Sequence, residues 1–191
     1  MSEIINILIV GVGGQGTILA SKVLAGVVQE KGHEVKIAEI HGMSQRGGSV
    51  FTQVRYGANI ASPTIPQGEA DIILAFEKLE ALRWLSYLKK NGRILINDQR
   101  IDPMPVIMGT VEYPADALQI IQDKCQNVTM IDGVSEALKA GNIKSVNMVL
   151  LGVLSKFLDF DGDIWLKVMQ ETIPAKFIDV NLKAFEAGRK Y

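Results

Sequence analysis

Residues 4–16 read Ile4-Ile5-Asn6-Ile7-Leu8-Ile9-Val10-Gly11-Val12-Gly13-Gly14-Gln15-Gly16. A nearly unbroken β-branched run stops at a glycine, as a strand does when both of its faces are covered by helices at the centre of a parallel sheet. Next, Ala20, Val23, Leu24, Val27 and Val28 recur at helical spacing, and Gly32 closes that helix. Val35 to Ile40 reads as a second strand. Residues 4–40 thus form a strand, a glycine loop, a helix and a strand.

Gly11-Val12-Gly13-Gly14-Gln15-Gly16 matches G-x-G-x-x-G in its required place between strand and helix. The first glycine permits a tight turn, the second removes a side chain that would block a phosphate, and the third lets helix and strand pack closely. Backbone N–H groups at the helix start then face an anion. Thr17 and Ile18 stand where a triphosphate-binding loop needs Lys and Ser/Thr, so that motif is excluded. A phosphate-bearing ligand and a purely structural turn both fit. Glu39, ending the second strand, takes roughly the place of the acid that grips a ribose in dinucleotide enzymes, or is an ordinary strand-end carboxylate.

The rest of the chain extends this pattern. Ser49–Tyr56 reads as a strand and residues 57–68 as an irregular loop. Asp71–Phe76 is a buried strand. Leu79, Leu82, Leu85 and Leu88 form one helical stripe ending at Asn91-Gly92. Ile94–Ile96 is a strand, and Pro103 and Pro105 break the chain before Val106–Val111. A helix runs from near Pro114 to about Lys124, and Val128–Ile131 is a short strand. From Ser145 to Leu158 a helix apolar on almost every side belongs in the core or in a subunit interface. Segments 164–172 and 177–187 complete a helical region of about 145–191. The expected fold is α/β and Rossmann-like: a mostly parallel sheet, helices on both faces, and a helical C-terminal region, in one domain over 1–191.

His41-Gly42-Met43-Ser44-Gln45-Arg46-Gly47-Gly48-Ser49 follows the second strand. Loops after the carboxyl ends of parallel strands share one edge, so both glycine loops should meet at one crevice. Arg46 offers a planar fork of donors for a phosphate or carboxylate, and Ser44 and Ser49 add hydroxyls. The bland alternative is a tight crossover with an exposed arginine. His41 has no evident carboxylate partner and reads as structural, while Met43 is a candidate for lining a site.

Composition removes other classes. A net charge of -1 argues against a general nucleic-acid or anionic-membrane binder. The first ten residues hold no Lys or Arg, and no apolar run approaches the ~20 residues that span a bilayer, so the expected location is cytoplasmic. Cys125, the single cysteine, excludes an internal disulfide and a four-cysteine metal or iron–sulfur site within the chain. No nucleophile-elbow or H-E-x-x-H pattern appears.

The stretches Ile9 to Gly16 and Glu39 to Val50 resemble the gamma domain of 2-oxoacid:ferredoxin oxidoreductases. The resemblance continues through Ser62-Pro63, Ile65-Pro66, Ala70-Asp71, Phe76-Glu77, Glu80-Ala81, Asn147 to Gly152 and Asn181 to Gly188. Within the family the likeness is greatest to the small, beta subunit of the indolepyruvate type, on length and overall similarity. These enzymes couple oxidative decarboxylation of a 2-oxoacid with coenzyme A to ferredoxin reduction. The resemblance implies a subunit without catalytic residues of its own. Coenzyme A would bind at or near it, while thiamine diphosphate and iron–sulfur clusters sit on a large partner subunit that passes electrons to ferredoxin. The implied cofactor-binding set is Gly11, Gly13, Gly14, Gln15, Gly16, Ser44, Gln45, Arg46, Gly47, Gly48 and Ser49, with no metal ligands. A second copy of this chain stands as a further partner. Two other readings remain: a free-standing NAD-dependent oxidoreductase resting on G-x-G-x-x-G and Glu39, and a non-catalytic scaffold whose apolar helix Ser145–Leu158 and glycine loops serve assembly alone.

Overall fold

The structure, a computed structural model, describes residues 4–41 and 47–191, with the side chain of His41 outside the description. Strand β1 (Ile5–Val12) is followed by helix α1 (Thr17–Glu30), β2 (Glu34–His41), β3 (Ser49–Gly57) and β4 (Ala70–Ala75). Then come α2 (Lys78–Arg83), β5 (Leu88–Asn97), α3 (Met104–Ile107), α4 (Ala117–Lys124) and β6 (Val128–Ile131). Helices α5 (Gly133–Ala140), α6 (Val146–Ser155), α7 (Gly162–Thr172) and α8 (Ala175–Arg189) finish the chain.

The six strands lie in the order β2-β3-β1-β4-β5-β6. β1, β4, β5 and β6 pair in parallel, whereas β3 runs antiparallel between β1 and β2. The strand–helix–strand unit of residues 4–40 is therefore split: β2 does not touch β1. β1 is buried on both faces, as its unbroken apolar run predicts. Ile7 and Ile9 point into a core shared with α1, α6, α7 and α8, and Leu8 and Val10 into one shared with α2 and α4.

Every residue of α6 is buried, which places this helix in the core and not in a subunit interface. It crosses α8 backbone to backbone. A Cβ on Gly152 would lie 2.1 Å from the Phe185 carbonyl oxygen, and one on Gly188 would lie 2.0 Å from that of Val149. Glycine is required at both positions, since real side chains never come so close.

Three local expectations differ from the structure. The leucine stripe 79–88 is not one helix: α2 ends at Arg83, a 3₁₀ turn spans Leu85–Tyr87, and Leu88 opens β5. A strict three-residue spacing suits the 3₁₀ turn as well as the α-helix. Trp84, packed at a tilt between Phe51 and Tyr87 at centroid distances of 4.1 and 5.1 Å, fixes the switch. The segment 103–111 forms the one-turn helix α3 and an exposed turn. Helix α5 had not been expected, although its flanks signal it. The Asp132 carboxylate accepts from Ser135 N–H at its start, and Gly141 takes a left-handed conformation at its end. Among the described residues no helix is long and apolar enough to cross a membrane.

Candidate functional site

Gly47 and Gly48, the described end of the second glycine loop, meet the first loop. Because β3 enters antiparallel beside β1, Ser49 pairs with Val12, and the second loop emerges next to the first. Gly13 N–H donates to the Gly48 carbonyl at 2.8 Å, and Gly47 N–H to that of Gly13 at 3.4 Å. Gly13 N–H is thereby engaged within the protein. The Ser49 hydroxyl donates to the carboxylate of Glu80, tying the start of β3 to α2. Met43, Ser44, Gln45 and Arg46 lie outside the described residues.

Gln15 turns inward. Its Oε1 accepts from Val12 N–H at 2.7 Å, and its Nε2 donates to the Phe76 carbonyl at 2.9 Å and to Gln99 Oε1 at 3.1 Å. This side chain clamps the turn to the ends of β4 and β5. Gly11 makes room for it, because a Cβ there would sit 2.9 Å from Gln15 Oε1 and from Phe76 Cβ. Gly16 has φ 84, and a Cβ would meet Asn147 Nδ2 at 2.7 Å, while that amide donates to the Gly16 carbonyl at 3.2 Å. Gly14 has φ 102 with nothing within 4 Å of a Cβ, so only its backbone conformation demands glycine.

Gly14 and Gly16 open onto a cleft of about 490 Å³, within the usual range of small-molecule sites. Leu19 of α1, Gln99, Val134, Ile143 and Val146 line its walls, and Lys144 is its one charged lining residue among the described residues. Helix α1 begins here with no side-chain cap and no acidic residue in its first turn. Its leading N–H groups and the positive end of its dipole are thus left for an anion. A second cavity of about 480 Å³ lies at the other edge of the sheet, between the end of α2 and the end of α4, with Cys125 and several lysines around it. The C-termini of α2 and α4 meet it, and their dipoles do not favour an anion.

Two carboxylates brace this edge from below. Glu77 is buried and accepts from Glu80 N–H at 3.0 Å, Ile101 N–H at 3.2 Å and the Tyr113 hydroxyl at 2.7 Å. Glu80, also buried, holds Ser49 and pairs with Arg83 at 3.1 Å. Burial raises the Glu80 carboxyl above its ordinary range, with Glu77 adding to the shift and Ser49 and Arg83 opposing it. Burial, then the bond to Glu77, raises the Tyr113 hydroxyl as well. No group of three or more metal-ligating side chains occurs among the described residues.

Glu39 is one strand too far out to reach this cleft, because β3 lies between its strand and β1. Its carboxylate accepts from the Ser21 hydroxyl at 3.0 Å. The dinucleotide reading keeps its glycine motif but loses the acid that was to grip the ribose.

A family model described as pyruvate ferredoxin/flavodoxin oxidoreductase matches residues 6–191. The chain belongs to this family. Among similar oxidoreductase-family proteins, the indolepyruvate oxidoreductase subunit IorB of Thermococcus kodakarensis is 41% identical over 190 residues, covering 97% of this chain and 94% of that one. The subunit of the same name from Methanothermobacter thermautotrophicus is 37% identical, covering 96% and 95%. The solved gamma subunit of a keto/oxoacid ferredoxin oxidoreductase from Geobacter sulfurreducens has the same fold, at TM-score 0.72 and 22% identity, covering 97% and 96%. A 2-oxoglutarate:ferredoxin oxidoreductase from Magnetococcus marinus, solved with 2-oxoglutarate, coenzyme A and succinyl-CoA bound, matches at TM-score 0.73 and 21% identity. The match covers 100% of this chain and 31% of that one.

Within this oxidoreductase-family fold, reading the sequence did not single out Lys144, Asn147, Gln99, Glu77 or Glu80 as site residues. Lys144 and Asn147 are 130 and 131 positions from Gly14 and Gly16, and only the seating of α6 and of the 3₁₀ turn Ile143–Ser145 before it beneath the glycine turn brings them there. Glu77 carried a local signal: it is the residue before α2 and its side chain caps Glu80 N–H, a pattern typical of helix starts.

Proposed function

We propose that this chain is the small subunit of a 2-oxoacid:ferredoxin oxidoreductase of the indolepyruvate type, one gamma-type domain from end to end. In that enzyme an aryl 2-oxoacid and coenzyme A give an acyl-CoA and carbon dioxide, with the electrons passed to ferredoxin. The chain contributes the site for the coenzyme's diphosphate. The observation that carries this reading is the uncapped start of α1, opening beside Lys144 into the glycine-loop cleft. Near end-to-end similarity to subunits named for indolepyruvate supports the substrate class.

The diphosphate would approach Gly14 and Gly16, where no side chain intervenes, and accept from the first N–H groups of α1. Lys144 would neutralise part of its charge from the opposite wall, and Ser44, Gln45 and Arg46 would close over it from the second loop. Gly11, Gly13, Gln15, Gly47, Gly48 and Ser49 serve the same site by fixing its shape. Thiamine diphosphate supplies the decarboxylation chemistry when bound, on the larger subunit. With one cysteine, Cys125, buried beside the opposite edge of the sheet, the chain's residues do not fit an iron–sulfur cluster. Electron transfer therefore belongs to the partner.

Arg46→Ala in the assembled enzyme tests the reading. The KM for coenzyme A should rise more than the KM for the oxoacid. Unchanged values for both would remove the second loop from the site.

A further inference from the structure

Between β5 and α4 the chain leaves the sheet edge as a finger whose tip is apolar and exposed. Pro103 to Val111 carries no charged side chain. Met104, Ile107, Met108 and Val111 are 60%, 66%, 67% and 54% exposed. Met104 and Ile107 lie three positions apart on one face of α3, and Met108, its C-terminal cap, continues that face. Isolated exposed apolar residues are ordinary, but a patch gathered on one turn marks a contact surface.

The finger is also preorganised. Val106 and Ile107 N–H donate to the Pro103 carbonyl at 2.9 and 3.1 Å, and Thr110 donates through both N–H and hydroxyl to that of Pro105, each at 2.9 Å. At its base, Ile101 N–H and the Tyr113 hydroxyl converge on the buried Glu77 carboxylate. The Arg100 guanidinium lies 4.2 Å from the Tyr113 ring centroid and pairs with Asp102. One carboxylate thus staples both ends of the loop. A tip already held in shape gains from leaving water and loses little ordering entropy on doing so.

We propose that this finger, residues 102–112, anchors the chain by inserting its Met104–Ile107–Met108–Val111 tip into an apolar groove of the larger subunit. The inference rests on the small-subunit reading above. Two observations favour that occupant over a second copy of this chain. The exposed tip amounts to roughly 450 Å², about half of what each side of a standard stable interface buries, so tip-to-tip pairing is too small for a dimer. As a plug within a broader face, however, it suffices. The base of the finger also adjoins the proposed coenzyme cleft, since Gln99 lines that cleft and accepts from Gln15. Because β1, β4 and β5 run parallel, the finger leaves the sheet at the same edge as that cleft, and a partner gripping the finger is held to the edge where the oxoacid chemistry has to reach.

The test uses the intact enzyme, produced without oxygen from both subunits, carrying Ile107→Asp and Met108→Asp together. Subunit dissociation is followed by sedimentation velocity over a dilution series. The double substitution should weaken association at least ~30-fold, as loss of a central apolar anchor does. The isolated variant chain should keep its unfolding midpoint within about 2 °C, because both sites are solvent-exposed. Should that variant not fold, Met104→Lys with Val111→Lys reads the same tip. If the unaltered chain fails to bind the larger subunit, the small-subunit reading falls and takes this inference with it. If the unaltered complex forms and the variant complex is equally tight, the finger inference alone is overturned. Loss of a homodimer with the heteromeric complex intact would overturn it too, in favour of a second copy.

Discussion

Gln15→Glu separates a ligand-contacting glutamine from one that holds the turn together. The substitution keeps the shape and the oxygen that accepts from Val12 N–H. It replaces Nε2, which donates to the Phe76 carbonyl and to Gln99 Oε1, with an oxygen facing those same two oxygens. Two hydrogen bonds at about 1 kcal/mol each are lost, and acceptor now faces acceptor. Because Gln15 is only half-buried, water relieves part of that conflict. The expected cost is about 2–3 kcal/mol, or roughly 5–10 °C in unfolding midpoint for a chain of this size.

Urea and thermal unfolding of the isolated chain, with no ligand present, measure this directly. The deficit should narrow on acidification, because the introduced carboxyl regains a donor when protonated. Its pKa in the folded protein lies above the unfolded value, so stability is restored below the ordinary glutamate range and lost as pH rises through the folded value. A midpoint within 1 °C of the parent at neutral pH would refute the clamp and return Gln15 to the role of a ligand contact.

Gly152→Ala should cost about 2 kcal/mol or more despite a gain of about 1 kcal/mol in helix propensity, because its methyl would lie 2.1 Å from the Phe185 carbonyl oxygen; chemical denaturation measures it. Lys144→Gln in the assembled enzyme should raise the KM for coenzyme A by roughly 5–30-fold, equivalent to about 1–2 kcal/mol, and leave the oxoacid KM in place. Burial, then Asp71 and Asp159, pushes the Tyr56 hydroxyl up to about 12. The stability linked to it is complete below pH ~10 and lost as pH rises through its folded value, so Tyr56→Phe should flatten the alkaline limb of the stability curve.

The features legible in the sequence were those with a local physical signature. An apolar run on both faces of β1, glycines at the turn and all-round apolarity in α6 each dictate burial, whatever the rest of the chain does. The meeting of the two glycine loops was also legible, because it follows from strand polarity. What escaped depends on distant contacts. Nothing local tells Ser49–Gly57 to pair antiparallel on both sides, and nothing in Gln15 says that its amide turns inward. The leucines at 79, 82, 85 and 88 misled because three-residue spacing does not distinguish an α-helix from a 3₁₀ turn followed by a strand.

The insertion of β3 decides which ligand chemistry the edge can serve. In a simple dinucleotide fold β2 lies beside β1, and the acid at its end reaches a ribose next to the glycine turn. Here β3 displaces β2 by one strand, to roughly 10 Å from β1, and Glu39 goes with it. In the vacated place stands the entry to β3, where Gly47 and Gly48 bond directly to Gly13 and Glu80 fixes Ser49 to α2. The edge has exchanged a carboxylate for a second glycine loop. A carboxylate beside a diphosphate repels it and suits a sugar hydroxyl, whereas a loop bearing Ser44, Gln45 and Arg46 supplies donors and positive charge. Under the proposed function, the topology thus turns the same G-x-G-x-x-G from one part of a ribose-gripping site into one half of a phosphate cradle. For that reason removing Glu39 should leave coenzyme binding intact while removing Arg46 should not.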